Sequence, residues 1–169
     1  MQCHLLKLIR PVTGSTLYTL HELSNTLTQH TLPALGSGTN PQLVATLPVI
    51  PPGASNTTLG AGELLLSPIN SAYTSQYLYA TNRNDPDSAG DSIAIFSVSP
   101  SLQLVKHVRT GLKHIRAAAL AGANKEYLVA GGLNGGGIVV YKRINGGQDL
   151  LELARLTNQV NQPTSFAFY

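Results

Sequence analysis

Apolar and polar residues alternate with a period of two along most of the chain, which is the spacing of half-buried β-strands. Clear examples are Ser92–Val98 (SIAIFSV), Gln103–Val108 (QLVKHV) and Gly137–Lys142 (GIVVYK). Turn-forming sequences such as Asn134-Gly135-Gly136 and Asn145-Gly146-Gly147 separate these runs. No segment shows the 3.6-residue period of a long amphipathic helix. The pattern therefore predicts an all-β protein built from antiparallel hairpins.

The strand pattern repeats along the chain. Three similar segments begin at Leu17 (LYTLHE), Leu78 (LYATNR) and Leu128 (LVAGGL), and each is followed by a polar turn and two further β-rich runs. The tripeptide QLV begins the third run at both Gln42 and Gln103, and the 61 residues between them also separate Leu17 from Leu78. Four short strands in a repeat of about 40–60 residues are typical of a β-propeller blade.

We therefore predict a partial β-propeller of about three four-stranded antiparallel blades. Blade 1 covers about 1–48, a loop covers 48–61, blade 2 about 62–110 and blade 3 about 114–157, and 162–169 forms a closing strand. Propellers need roughly four to eight blades to close. We expect partner chains or blades outside this sequence to complete the ring. A compact β-sandwich of about a dozen strands is the alternative fold.

Composition supports a folded, turn-rich chain. Of 169 residues, 11% are charged and 43% hydrophobic, with 16 Gly and 10 Pro. Disordered segments have more charge and less hydrophobicity, and helical bundles contain less proline. The net charge of +3 is too small to indicate nucleic acid, and the basic residues between Lys106 and Arg116 lack the aromatic side chains that stack on bases. We expect no nucleic-acid partner.

The sequence also bears on location and metal binding. A single cysteine, Cys3, rules out an internal disulfide and a thiolate metal cluster. No apolar run is long enough for a membrane-spanning helix, and Lys7 and Arg10 interrupt the N-terminal one, unlike in a signal peptide. We expect a cytoplasmic protein without membrane contact, metal or cofactor. Asp85, Asp87 and Asp91 lack calcium-loop spacing, so we interpret them as a solvated turn.

Candidate chemistry lies at the sixth position of the repeat, which holds Glu22, Arg83 and Leu133 in turn. Equivalent positions of successive blades lie at the same height around the central channel, so Glu22 and Arg83 should face one cavity. A guanidinium can hold a carboxylate or phosphate, and a carboxyl group can transfer protons. The pair suits an anionic small molecule that undergoes proton transfer. A structural salt bridge between blades is the alternative.

Several motifs resemble one protein family. They are LYTLHEL at Leu17–Leu23, QYLYATNRN at Gln76–Asn84, DSIAIFSV at Asp91–Val98 and TGLKHIRAA at Thr110–Ala118. These stretches resemble the seven-bladed propellers of the lactonase and carboxymuconate cyclase family, and the resemblance covers nearly the whole chain. It implies the C-terminal three blades of a 6-phosphogluconolactonase-like hydrolase or a 3-carboxy-cis,cis-muconate cyclase-like isomerase.

The resemblance also implies site residues. Glu22 and Arg83 match the catalytic Glu and Arg of the cyclase branch, as proton-transfer group and carboxylate anchor, while Arg116 and His4 are candidate substrate contacts. No metal or other cofactor is implied. The family's arginine before the first motif has no counterpart in register, since Arg10 lies in the following turn.

Two functions therefore stay open. The first is lactone formation or hydrolysis on a small anionic substrate. The second is a catalytically inactive interaction module, because an unpaired blade edge invites β-pairing and self-association.

Overall fold

The computed structural model describes residues 6–9, 16–34, 36–54, 58–157 and 159–168, with side chains from residue 16 onward. The described residues form three four-stranded antiparallel sheets, each of which follows the chain order. The first contains β1 (Leu6–Ile9), β2 (Thr16–His21), β3 (Thr26–Thr31) and β4 (Gln42–Pro48). The second contains β5 (Gly60–Leu66), β6 (Tyr77–Arg83), β7 (Ser92–Ser97) and β8 (Gln103–Arg109). The third contains β9 (Lys113–Ala121), β10 (Tyr127–Gly135), β11 (Ile138–Ile144) and β12 (Asp149–Leu156).

Three four-stranded sheets confirm the all-β prediction of a partial propeller with three blades, and the β-sandwich alternative is wrong. The blades stack through two apolar layers. In β6, Leu78 and Ala80 face the first sheet, whereas Tyr77 and Tyr79 face the third. This alternation follows from the period of two in a strand. Because both faces of the middle sheet are covered, all seven residues of β6 are buried.

The sheets meet through their first strands, since β5 contacts both β1 and β9. The chain order then places the ends of β2, β6 and β10 beside one another. We call this end of the three sheets the site end, because Glu22, Arg83 and Leu133 all lie there.

The predicted closing strand does not form, because residues 163–168 have no regular secondary structure. Proline cannot donate a ladder hydrogen bond, so Pro163 disfavours strand pairing at this point. The segment instead packs on the face of the third sheet. A β-carbon added at Gly131 would lie 2.7 Å from Pro163 Cγ and 3.0 Å from Phe166 Cζ. The C-terminal segment therefore covers one face of blade 3 without extending a sheet.

This close approach gives a stability prediction. Gly131→Ala should lower the free energy of unfolding by about 1–2 kcal/mol, because the new methyl group overpacks the contact. Urea denaturation and protease sensitivity of 159–168 measure the effect. Gly60→Ala is the matched control, since its β-carbon would meet nothing closer than 3.5 Å. Equal stability of the two variants would show that the C-terminal segment does not pack against Gly131.

Candidate functional site

Glu22 and Arg83 contact each other at the site end. Glu22 directly follows β2, and Arg83 is the last residue of β6. Arg83 Nη2 donates to Glu22 Oε1 in an ion pair and to the Ala61 carbonyl oxygen at 3.0 Å. The Ala61 amide in turn donates to the Glu22 carbonyl oxygen at 3.1 Å. The pair therefore lies at the junction of blades 1 and 2, and β5 holds both partners.

Gly62 in β5 lies where other groups approach the strand closely. A β-carbon at Gly62 would lie 2.6 Å from Thr81 Oγ1 and 3.0 Å from the Ile115 carbonyl oxygen. The register between β5 and β6 shifts between Ala61 and Leu64. Arg83 packs beside this irregular point at ordinary contact distance, and its side chain is only 8% exposed.

One donor of this buried guanidinium is unused. Arg83 Nε is buried without a hydrogen-bond partner. Beside Arg83 is a cavity of about 10 Å³, lined also by Gly62, Glu63, Ile115 and Arg116. That volume is the lower limit for one water molecule. A cavity of this size fits one small acceptor, such as a water molecule, beside the two guanidinium groups. Arg116 itself is exposed to solvent.

His114 and Asn84 also lie at this site, although the sequence singled out neither of them. His114 Nδ1 is 2.8 Å from Asn84 Oδ1, which joins blade 3 to the residue after Arg83. Burial, followed by the positive charges of Arg83 and Arg116, lowers the pKa of the His114 imidazole. The signal in the sequence was position alone, because His114 lies two residues before Arg116 in the basic stretch from Lys106 to Arg116.

The acidic turn is not solvated as predicted, because Asp85 and Asp91 are buried. Asp91 accepts backbone hydrogen bonds from Asp85 at 2.8 Å and from Ile115 at 3.0 Å. Asp85 pairs with Arg109 at 2.5 Å. Burial raises the pKa of the Asp91 carboxyl, against the opposing effect of the backbone amides that it accepts. Asp91 therefore connects blades 2 and 3, whereas Asp85 pairs within blade 2, and neither carboxylate faces water.

The remaining predicted positions lie apart from the pair. Leu133 lines a separate pocket of about 600 Å³ with the glycine-rich end of the β10–β11 hairpin and Gln162. His4 and Arg10 fall outside the described residues, so the structure places neither of them. Within the described ranges, no group of three or more His, Cys, Asp or Glu side chains is arranged to hold a metal ion. None of the described segments is a helix long and apolar enough to cross a membrane.

Comparison with known proteins gives a family and several structural relatives. A family model described as "Lactonase, 7-bladed beta-propeller" matches residues 8–168. No curated protein matches the chain significantly. A candidate 6-phosphogluconolactonase from Bacteroides uniformis has 26% identity and a TM-score of 0.71, with 93% of this chain and 41% of that chain covered.

Two further structures show the same fold at lower identity. A candidate 6-phosphogluconolactonase from Bacteroides fragilis has 22% identity and a TM-score of 0.72, and the match covers 94% of this chain and 40% of that chain. The periplasmic gluconolactonase of Pseudomonas aeruginosa has 21% identity and a TM-score of 0.73, and the match covers 93% of this chain and 40% of that chain. The chain thus spans about 40% of the length of these structures.

Proposed function

The chain belongs to the seven-bladed β-propeller lactonase family, and we propose that it binds a small anionic lactone at the site end and hydrolyses it. The observation that carries the proposal is the buried Arg83 guanidinium, which has an unused Nε donor and lies against Glu22 and beside Arg116. Buried donors without partners are rare in folded proteins, so a functional acceptor is a reasonable explanation.

Arg83 is the proposed anchor for the anionic group, with Arg116 as an additional contact from the neighbouring blade. Guanidinium groups bind phosphate and carboxylate through paired hydrogen bonds. Glu22 is the proposed proton-transfer residue, because its carboxylate is 20% exposed and lies directly beside the anchor. A small anionic sugar lactone fits this arrangement, since the anion and the reacting ring would lie within one molecule. His4 remains a predicted contact on sequence grounds.

A lactone-forming reaction on a carboxylated muconate is the second candidate. The same Glu–Arg contact supports it, because that chemistry also needs a carboxylate anchor and a proton donor. A cytoplasmic location and self-association through a blade edge remain predictions from the sequence. One structural relative is a periplasmic protein.

The purified chain should hydrolyse 6-phosphogluconolactone with a kcat/KM about 100-fold above that for unphosphorylated gluconolactone, because two arginines favour the phosphate. Glu22→Gln should lower kcat by about 10²–10⁴-fold, the usual contribution of an acid–base residue. Initial rates corrected for spontaneous hydrolysis measure both effects.

Glu126→Gln is the control for Glu22→Gln, because Glu126 is a half-buried glutamate at the opposite end of the sheets. Turnover of 3-carboxymuconolactone but not of the sugar lactones would favour the second candidate. A folded chain that turns over none of these substrates would contradict the enzymatic proposal and support an interaction module.

A further inference from the structure

His114 is held in an uncommon geometry at the junction of blades 2 and 3. His114 and Asn84 both have left-handed backbones, with φ of 58° and 64°. Asn and His are among the few residues other than glycine that adopt such angles readily, so both positions accommodate this backbone. The two residues point their polar side chains at each other, with 2.8 Å between His114 Nδ1 and Asn84 Oδ1. The fold therefore fixes the imidazole ring in one orientation beside Arg83.

The contact with Asn84 favours one tautomer of the ring. Because an amide oxygen only accepts, the contact with Asn84 Oδ1 is a hydrogen bond in the neutral tautomer that carries its proton on Nδ1. The other ring nitrogen, Nε2, then has a free lone pair. Within the described residues, no side chain or backbone group hydrogen-bonds to Nε2. A fixed neutral imidazole with one unused acceptor nitrogen is the arrangement of a general base.

Charged groups from four segments of the chain surround this imidazole. Burial lowers its pKa first, and the charges of Arg83 on β6 and Arg116 on β9 lower it further. The negative charges of Asp91 and Glu22 raise the pKa of His114. The neighbouring Lys113 directs its ammonium to the Asp87 carbonyl oxygen at 2.8 Å. The neutral form is therefore the main form at pH 7, and the acceptor nitrogen is available.

On the basis of the proposed lactone hydrolysis, we propose that His114 Nε2 takes the proton of the attacking water and that Asn84 positions the ring for this step. The water oxygen bonds to the lactone carbonyl carbon while its proton moves to Nε2. The bond between the carbonyl carbon and the ring oxygen then breaks. The imidazolium gives this proton to the leaving ring oxygen, with the Glu22 carboxylate as the relay, and the new carboxylic acid releases one proton to solvent. The products are a hydroxyl group and a carboxylate.

Two variants test this assignment in the full chain with 6-phosphogluconolactone. His114→Asn removes the base and keeps a residue that tolerates a left-handed backbone. It should lower kcat by about 100-fold or more with little change in KM. Asn84→Asp places a carboxylate against Nδ1 and should move the acid limb of the kcat/KM profile upward by about one pH unit. His30→Asn, on β3 away from the site end, is the matched control and should leave both parameters unchanged.

A second measurement does not depend on activity. Ring nitrogen NMR shifts should show the Nδ1–H tautomer of His114, with a titration midpoint that rises in Asn84→Asp. The Nε2–H tautomer would overturn the proposal whatever the activity. Turnover that survives His114→Asn, or an acid limb unmoved by Asn84→Asp, would overturn the role of His114 and leave the lactonase proposal standing. Absence of turnover in the wild-type chain would overturn the lactonase proposal itself, and the catalytic role of His114 with it.

Discussion

Arg83→Ala is expected to lower kcat/KM for 6-phosphogluconolactone by about 10²–10⁴-fold, mainly through KM. A hydrogen bond to a charged group contributes about 1.5–3 kcal/mol, and two such bonds to one phosphate would be lost. Each 1.4 kcal/mol or so corresponds to a factor of ten in rate or affinity. Steady-state kinetics and product binding by calorimetry measure the two contributions.

Arg109→Ala is the matched control for Arg83→Ala. Arg109 belongs to the same sheet and also pairs with carboxylates, Asp85 at 2.5 Å and Asp87 at 3.1 Å, but it does not line the cavity beside Arg83. Its removal should change kcat/KM by only a few-fold. A double-mutant cycle of Glu22→Gln and Arg83→Ala, measured on the free energy of unfolding, gives the contribution of the ion pair to stability. If Arg83→Ala lowers stability and leaves KM unchanged, the pair is a bridge between blades and not an anion site.

Asp91→Ala is expected to lower the free energy of unfolding by about 3–5 kcal/mol. The carboxylate accepts the amides of Asp85 and Ile115, and each buried amide without a partner costs about 1–3 kcal/mol. Small domains are stable by only about 5–15 kcal/mol, so this variant loses a large share of its stability. Urea denaturation followed by circular dichroism gives the change. Asp87→Ala, whose side chain is 44% exposed, should cost less than about 1 kcal/mol.

The Asp91 carboxyl also predicts a pH dependence. Burial raises the pKa of the Asp91 carboxyl above its ordinary value, so the folded protein binds its proton more tightly than the unfolded chain does. The stability that Asp91 contributes is therefore complete at a pH below its pKa in the unfolded chain. It is lost as the pH rises through its pKa in the folded protein. The stability of the wild type relative to Asp91→Asn should increase as the pH falls towards 4. A difference that narrows on acidification would contradict this assignment.

Much of the fold could be predicted from the sequence, because strand and turn signals are local. The period of two located the strands, and the spacing between Leu17 and Leu78 gave the repeat. The sequence predicts a closing strand at 162–169, but it cannot show whether a sheet edge is available for that strand to pair with. The segment packs instead on the face of blade 3 at Gly131.

For the candidate site, the sequence by itself determined that Glu22 and Arg83 occupy equivalent repeat positions at strand ends, because blade repetition fixes the height of a residue around the channel. Only the tertiary structure decided what surrounds them. Asn84 and Asp91 come from the loop between β6 and β7, and His114 comes from the start of β9. Their contacts form across the junction of blades 2 and 3. Local patterns cannot encode such contacts, because they depend on how neighbouring blades pack.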